Sequence, residues 1–302
     1  MNKLFYSILP LLLLFTFQKG FCQTTESKGA QNLDRFTSME IPSHILVGEG
    51  ITNMGHLLYE ANIAPTFKMS PQQLPDLGFV FIPQIDIRMY NQFSHPIRTP
   101  SYMPRGIAYY HFNKSGNDQF VFLTLGHHSN GQDGSLYESD SVTINTRDGS
   151  FSTNYLSVSY EIFTDNTNHF RPFDGLRLSA ALHSIKDVNV RYMYGRLRFN
   201  ADLKSTYQFK HQIRNIITNT KQSPQITSML RLGWIGLDMD HANAFDIDRL
   251  ILNYTLSFQP AIISDLEIFV RYYYGQDYYN INFERKLNAL QFGFSLKNIS
   301  FW

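Results

Sequence analysis

The sequence predicts an all-β fold, a transmembrane antiparallel β-barrel of about 12 strands. Three observations predict it. Apolar residues recur at every second position in segment after segment. Several of these segments reach about ten residues, the length a tilted strand needs to cross a bilayer. Beyond the N-terminus, no stretch has the roughly 18 uncharged apolar residues of a membrane helix. Composition agrees: of 302 residues only 17% are charged, while 15% are aromatic, and mean hydropathy is −0.24. That average is too polar for a bundle of membrane helices and suits a wall with one greasy and one polar face. A net charge of +1 excludes an electrostatic nucleic-acid binder, and few charges with many aromatics exclude a disordered chain.

Residues 1–22 read as a secretory signal. Lys3 gives the positive start, Leu4 to Phe17 the apolar stretch, and Gly20-Phe21-Cys22 a small-x-small cleavage site. Pro10 interrupts that stretch, which is short for a membrane anchor. A lipidated Cys22 is the minor alternative, with bulky Phe21 against it. Residues 23–61 are expected to be an N-terminal segment, partly flexible, beginning with the polar run from Thr24 to Asp34. Cys22 is the single cysteine, so the exported chain has no disulfide to stabilise it.

The barrel is expected over residues 62–302. Leu176, Leu178, Ala180 and Leu182 alternate with Arg177, Ser179 and His183. Leu230, Leu232 and Trp234 flank Arg231, and Leu250, Leu252, Tyr254, Leu256 and Phe258 alternate with Asn253, Thr255 and Ser257. Leu266, Ile268, Val270, Tyr272 and Tyr274 oppose Glu267 and Arg271, and Leu290, Phe292, Phe294 and Leu296 oppose Gln291, Gly293, Ser295 and Lys297. Each is a strand with one apolar face. Turn signals fall at Asp133-Gly134, Asp148-Gly149, Asp174-Gly175, Ser223-Pro224 and Ser264-Asp265. A soluble sandwich or lipocalin-like barrel also alternates. Against it stand mid-strand Arg and Glu with no evident partner, aromatics near strand ends, and the terminal Ser300-Phe301-Trp302, which looks like an outer-membrane assembly signal.

Chemistry concentrates where the greasy stripe breaks. Val121, Leu123, Leu125, His127 and Ser129 share one parity, so His127 and Ser129 lie one pleat apart on the apolar side. A base and a hydroxyl so placed can form a nucleophile pair. In the next strand Asn154 precedes Leu156, Val158, Tyr160 and Ile162 on one face, with Tyr155, Ser157, Ser159 and Glu161 opposite. An antiparallel register sets Asn154 beside His127, where its amide can fix the imidazole without bringing a charge to lipid.

His127-His128-Ser129-Asn130-Gly131 followed by Asn154 resembles the outer-membrane phospholipase A family. The likeness extends to Gln92-Phe93-Ser94, Pro96-Ile97-Arg98, Tyr102 and Pro104, and downstream to Tyr192-Met193, Tyr274-Gly275 and Tyr279-Asn280. That resemblance implies a calcium-dependent phospholipase (A1/A2 and lysophospholipid ester hydrolysis) in a twelve-stranded outer-membrane barrel, active as a homodimer. Ser129 becomes the nucleophile, His127 the base and Asn154 the orienter. It implies calcium (Ca2+) on the Gln132 carbonyl, a loop hydroxyl and a partner residue matched by Ser94. The loop after Gln132 is longer than the family's, so Ser135 and Ser139 both remain candidates for the hydroxyl, with Asp133 and Asp140 as further hard oxygen donors.

Two rivals stand beside this reading. A lipid A deacylase-type esterase takes a carboxylate as its third member, and Glu161 is the nearest, on the wrong parity. A non-catalytic porin-like barrel would carry the motif at its rim by chance. His95, His128 and His183 are expected on polar faces or in loops, without a role.

Overall fold

The computed structural model describes residues 27–296 except 54, 95, 115–116, 165–169, 240–242 and 264. The signal segment 1–22 with Cys22, His95, Ser264, Lys297 and the terminal Ser300-Phe301-Trp302 lie outside the described residues. A helix, α1 (Lys28–Thr37), leads into β1 (Ser43–Thr52), β2 (Leu57–Ile63), β3 (Phe67–Met69), β4 (Leu77–Tyr90), β5 (Ser101–Lys114), β6 (Asn117–Ser129) and β7 (Ser152–Phe163). Then come β8 (Phe170–Ser184), a short helix α2 (Val188–Tyr194), β9 (Leu197–Gln208), a small hairpin of β10 (Ile213–Arg214) and β11 (Lys221–Gln222), and β12 (Gln225–Leu237). The chain finishes with β13 (Leu250–Gln259), β14 (Leu266–Gln276) and β15 (Lys286–Leu296).

Each long strand pairs antiparallel with its neighbours, β1 pairs β15, and β2 pairs β4. The sheet holds 13 strands; β3 pairs only β4, so the closed ring counts 12, as the periodicity predicts. The ring begins earlier than residue 62, because β1 and β2 belong to it. The alternation of β1 is hidden by Gly48 and Gly50, both at positive φ, and by a register shift between Val47 and Ile51, and short β2 carries a shift of its own between Leu57 and Tyr59. Asp174-Gly175 is not a turn either: it lies inside β8, where a register shift between Arg171 and Gly175 accommodates it.

The two faces separate cleanly. Leu123, Leu125, Leu156, Val158, Leu178, Leu182, Phe292 and Phe294 are exposed on the outside. A belt of that extent suits hydrocarbon rather than water, and a closed ring leaves no unpaired strand edge in it. This is the build of an outer-membrane β-barrel, and no helix among the described residues is long and apolar enough to cross a membrane.

Inside, the mid-strand charges find one another. Arg88 binds Glu60 at 2.6 Å and Asp277 at 2.9 Å, and Arg271 reaches Glu60 at 3.3 Å. Arg177 binds Glu161 at 2.5 Å and Glu40 at 2.7 Å, while Arg105 binds Glu40 at 2.9 Å. Pairing is what lets such charges stand out of bulk water.

The polar run from Thr24 to Asp34 is not wholly irregular, since α1 occupies much of it. Ser27 caps the helix by accepting from the Ala30 N–H at 3.3 Å. Leu33 and Phe36 fall on one helical face and are buried with Met39 against Tyr109, Phe120, Phe122 and Phe163. Arg35–Asp118 at 3.0 Å and Lys28–Asp76 at 2.9 Å tie the helix to strand ends beside the short β5–β6 turn. It plugs the lumen at that end. The connections that follow β4, β6, β8, β12 and β14 open at the other end, while the 209–224 connection with its β10–β11 hairpin stays at the plugged one.

Candidate active site on the outer wall

Antiparallel pairing of β6 with β7 sets His127 opposite Asn154, His128 opposite Thr153 and Ser129 opposite Ser152. His127 Nδ1 lies 2.8 Å from Asn154 Oδ1. With the Nδ1–H donating to that carbonyl, Nε2 is left as an acceptor, the tautomer a general base needs. Leu125 and Leu156, which precede His127 and follow Asn154 on the same face, are exposed to the outside. Ser129 follows on that face one pleat further on, between Tyr102 of β5 and Ser152 of β7. The structure therefore brings His127 and Asn154 into contact and sets Ser129 beside them, at the loop-bearing end of the lipid-facing wall.

The intervening residues point inward. His128 is buried edge-on against Phe151, with ring centroids 4.9 Å apart, and Nδ1 lies 3.4 Å from the Tyr194 hydroxyl. His183 is also lumenal, 3.4 Å from Thr153 Oγ1. Both thus sit on the polar face. Gly126 pairs with Tyr155, and a Cβ at Gly126 would overlap the tyrosine ring that lies across it beneath His127. Glu161, the carboxylate of the rival esterase reading, is fully buried in the lumen on Arg177. The wall separates it from Ser129.

Asn130, which the sequence offers only as part of the pentad, is the buried anchor of the site. Its Oδ1 accepts from Phe151 N–H at 3.0 Å and Gln132 N–H at 3.3 Å. Its Nδ2 lies 2.7 Å from Gly149 O, 2.7 Å from Asn280 Oδ1 and 3.0 Å from Gln132 Oε1. Gly131 then turns the chain at φ 64°. Asn280, some 150 positions away, is a partner that no local pattern reveals.

The oxygen donors of loop 130–151 are divided by its folding. Gly134 bridges Gly149, Asn145 N–H donates to Leu136 O at 2.8 Å, and Glu138 N–H donates to Thr143 O at 2.8 Å. Gln132 and Ser135 therefore stay toward the base of this stem, while Ser139 and Asp140 are carried to its tip. Asp140 is committed there: Thr143 N–H, Val142 N–H and the Thr143 hydroxyl at 2.5 Å all donate to it. The Thr143 hydroxyl, with those two N–H groups, holds its carboxyl below the usual carboxylate range. Gln132 is fixed by its side chain, which donates to Arg147 O at 2.6 Å, and its own carbonyl enters no hydrogen bond among the described residues. A fixed, open carbonyl is an oxygen donor of the kind a hard cation such as calcium takes. Ser94 is exposed, its carbonyl accepting from Gln92 Nε2 at 2.9 Å. Among the described residues no cluster of three or more His, Cys, Asp or Glu could hold a metal.

No family model matches the sequence, and no curated protein matches it. Solved structures do. Outer membrane phospholipase A from Escherichia coli superposes with a TM-score of 0.54 over 85% of this chain and 92% of that one, at 10% identity. The chain has the outer-membrane phospholipase A fold. An active-site mutant of the E. coli protein, with an asparagine replaced, aligns on that fold over 93% of this chain and 95% of its own, at 10% identity and a TM-score of 0.51. The outer membrane phospholipase of Salmonella typhi, a dimer with bound calcium, covers 91% of this chain and 99% of its own, at 11% identity and a TM-score of 0.54. At such identities the phospholipase A likeness is one of fold.

Proposed function

We propose that the protein is an outer-membrane phospholipase, a carboxylic ester hydrolase whose triad is Ser129, His127 and Asn154. The observation that carries this reading is the 2.8 Å contact of His127 with Asn154 on the lipid-facing wall, one pleat from Ser129. Polar side chains on such a wall are costly unless they serve a purpose. The substrate such a wall meets is a phospholipid already in the leaflet, with its acyl chains against the barrel and its ester bonds level with the strand ends.

In the reaction, His127 Nε2 takes the Ser129 hydroxyl proton as Oγ attacks an acyl ester carbonyl. Asn154 holds the ring in its tautomer while the imidazolium forms. Backbone N–H groups around Ser129 stabilise the oxyanion. His127 gives its proton to the departing lysophospholipid, leaving the acyl group on Ser129. Water, activated by the same imidazole, then releases the fatty acid and restores the serine. Gln132 by its carbonyl, Ser135 by its hydroxyl and Ser94 of a second copy would hold calcium. When bound, the ion supplies positive charge near the developing oxyanion. Because Ser94 comes from the second copy, activity is expected to follow dimer formation.

The test is fatty-acid release from phospholipid micelles by the refolded full chain, with lipid A as a parallel substrate. Ser129→Ala and calcium chelation are each expected to abolish release from phospholipid. Full activity in Ser129→Ala, or none in the wild-type chain with calcium present, would overturn the reading. Hydrolysis of lipid A alone would move the substrate class.

A further inference from the structure

The loop between β14 and β15 enters the mouth of the barrel and is fastened there residue by residue. Asp277 is held by Arg88 at 2.9 Å and in turn accepts the Tyr279 N–H at 2.9 Å. The Tyr279 hydroxyl accepts the Arg88 N–H at 3.1 Å and donates to Thr99 O at 3.0 Å. Asn280 follows in the left-handed region, φ 53°, where asparagine is one of the few side chains tolerated. Its N–H donates to Ser101 Oγ at 2.5 Å and its Nδ2 to Thr99 O at 2.9 Å. Its Oδ1 accepts the Ile281 N–H at 2.6 Å and Asn130 Nδ2 at 2.7 Å.

One buried residue therefore ties together three stretches, two of them through its side chain and the start of β5 through its backbone N–H. These are the end of the 91–100 segment, which carries Ser94, the start of β5, and Asn130, the residue after Ser129. Asn130 passes the constraint on, since the same amide fixes the Gln132 N–H and the Phe151 N–H on either side of the loop. Non-glycine residues at positive φ persist where the surroundings over-determine them, commonly next to working sites.

We propose that Asn280 is a positioning residue of the esterase: acting through Asn130, it holds the Ser129–Gln132 backbone and the 91–100 segment in one fixed geometry. The proposal rests on Ser129 being the nucleophile. Asn280 touches no reacting atom. Its part is to keep the serine and the Gln132 carbonyl where His127 and an ester can use them, and small misplacements there cost rate steeply.

The experiment uses the refolded full chain with calcium and two readouts: kcat and KM for phospholipid hydrolysis, and the rate at which an alkyl sulfonyl fluoride labels Ser129. Asn280→Gly keeps the backbone at ease in the left-handed region and removes only the side-chain bonds. It is expected to lower kcat and the labelling rate roughly 10- to 100-fold, with KM little changed. Asn280→Asp keeps an oxygen for Asn130 and Ile281 but loses the donor to Thr99 O, so it is expected to fall between wild type and Asn280→Gly. Where Asn280→Gly does not give the folded, heat-modifiable barrel, Asn280→Ser carries the same comparison. Wild-type kcat and labelling in Asn280→Gly, or equal damage in Asn280→Gly and Asn280→Asp, would overturn the proposal while leaving Ser129 in its role. A wild-type activity that survives Ser129→Ala takes both readings down.

Discussion

Asn154 presents its amide oxygen to His127 Nδ1 at 2.8 Å across the β6–β7 register, on a face otherwise built of exposed aliphatic side chains. A neutral orienter is the economical choice there, because a carboxylate would have to stand uncompensated against lipid. Asn154→Ala is expected to lower kcat by about 10- to 100-fold while KM holds, since the imidazole loses its tautomer and aim but the wall that binds lipid is intact. Steady-state fatty-acid release checks it. A variant with unchanged kcat would remove Asn154 from the triad.

The plug helix should contribute measurably to stability. Phe36 is fully buried, stacked on Tyr109 at 4.6 Å between centroids and edge-on to Phe122 at 4.9 Å. Phe36→Ala is expected to cost about 3–5 kcal/mol, the usual range for deleting a buried phenyl ring. Urea unfolding of the lipid-reconstituted barrel reads it directly. A loss below about 1 kcal/mol would mean that α1 does not pack on the lumen as described.

Acid should loosen the same plug through Glu40, in the link between α1 and β1. Burial alone would raise its pKa, but Arg177 and Arg105 more than offset that and bring it from 4.5 down to about 2. A depressed folded-state pKa means stability that is present above pH 4.5 and lost as pH falls toward about 2. The difference between wild type and Glu40→Gln should therefore shrink across that window, by on the order of 3 kcal/mol. Parallel melts of the two proteins from pH 6 to pH 2 test it. A constant difference would show that Glu40 stays ionised in both states or in neither.

What sequence could disclose follows from the range of each interaction. The strands β6 to β8 and β12 to β15 were legible because strand pleating imposes a period of two on outward residues, and the same parity placed His127, Ser129 and Asn154 together. β1 and β2 were not, since Gly48, Gly50 and a register shift break the period of β1 and a second shift, between Leu57 and Tyr59, interrupts short β2. The lumenal Arg and Glu read as unpaired because their partners are remote: Arg88 meets Asp277 and Arg177 meets Glu40 only once the ring closes. α1 escaped notice for a similar reason. Its segment is polar apart from Leu33 and Phe36, and the face they form gains meaning only inside a barrel. Asn280 enters the sequence reading only within the Tyr279-Asn280 likeness, without a role; its contact with Asn130 exists only in the folded molecule.

Adjacent residues of β13 offer a direct test of which face meets lipid. Leu256 is exposed on the outer wall, whereas Ser257 lines a lumenal cavity of about 670 Å³, its hydroxyl 3.5 Å from Glu267. One substitution at the two positions should therefore have opposite consequences. Leu256→Lys pushes an ammonium into hydrocarbon, at a cost of about 2–4 kcal/mol near the midplane of a bilayer. Ser257→Lys puts the same group into the lumenal cavity beside the Glu267 carboxylate, where it gains a partner, so its cost should fall well below that. Unfolding free energies measured in lipid vesicles distinguish the two. In a water-exposed barrel the order would reverse, because Leu256→Lys would then be a neutral surface change while Ser257→Lys would still crowd the interior. The sign of this one difference thus decides whether the greasy wall carrying His127 and Ser129 faces lipid, on which the choice of a membrane substrate depends.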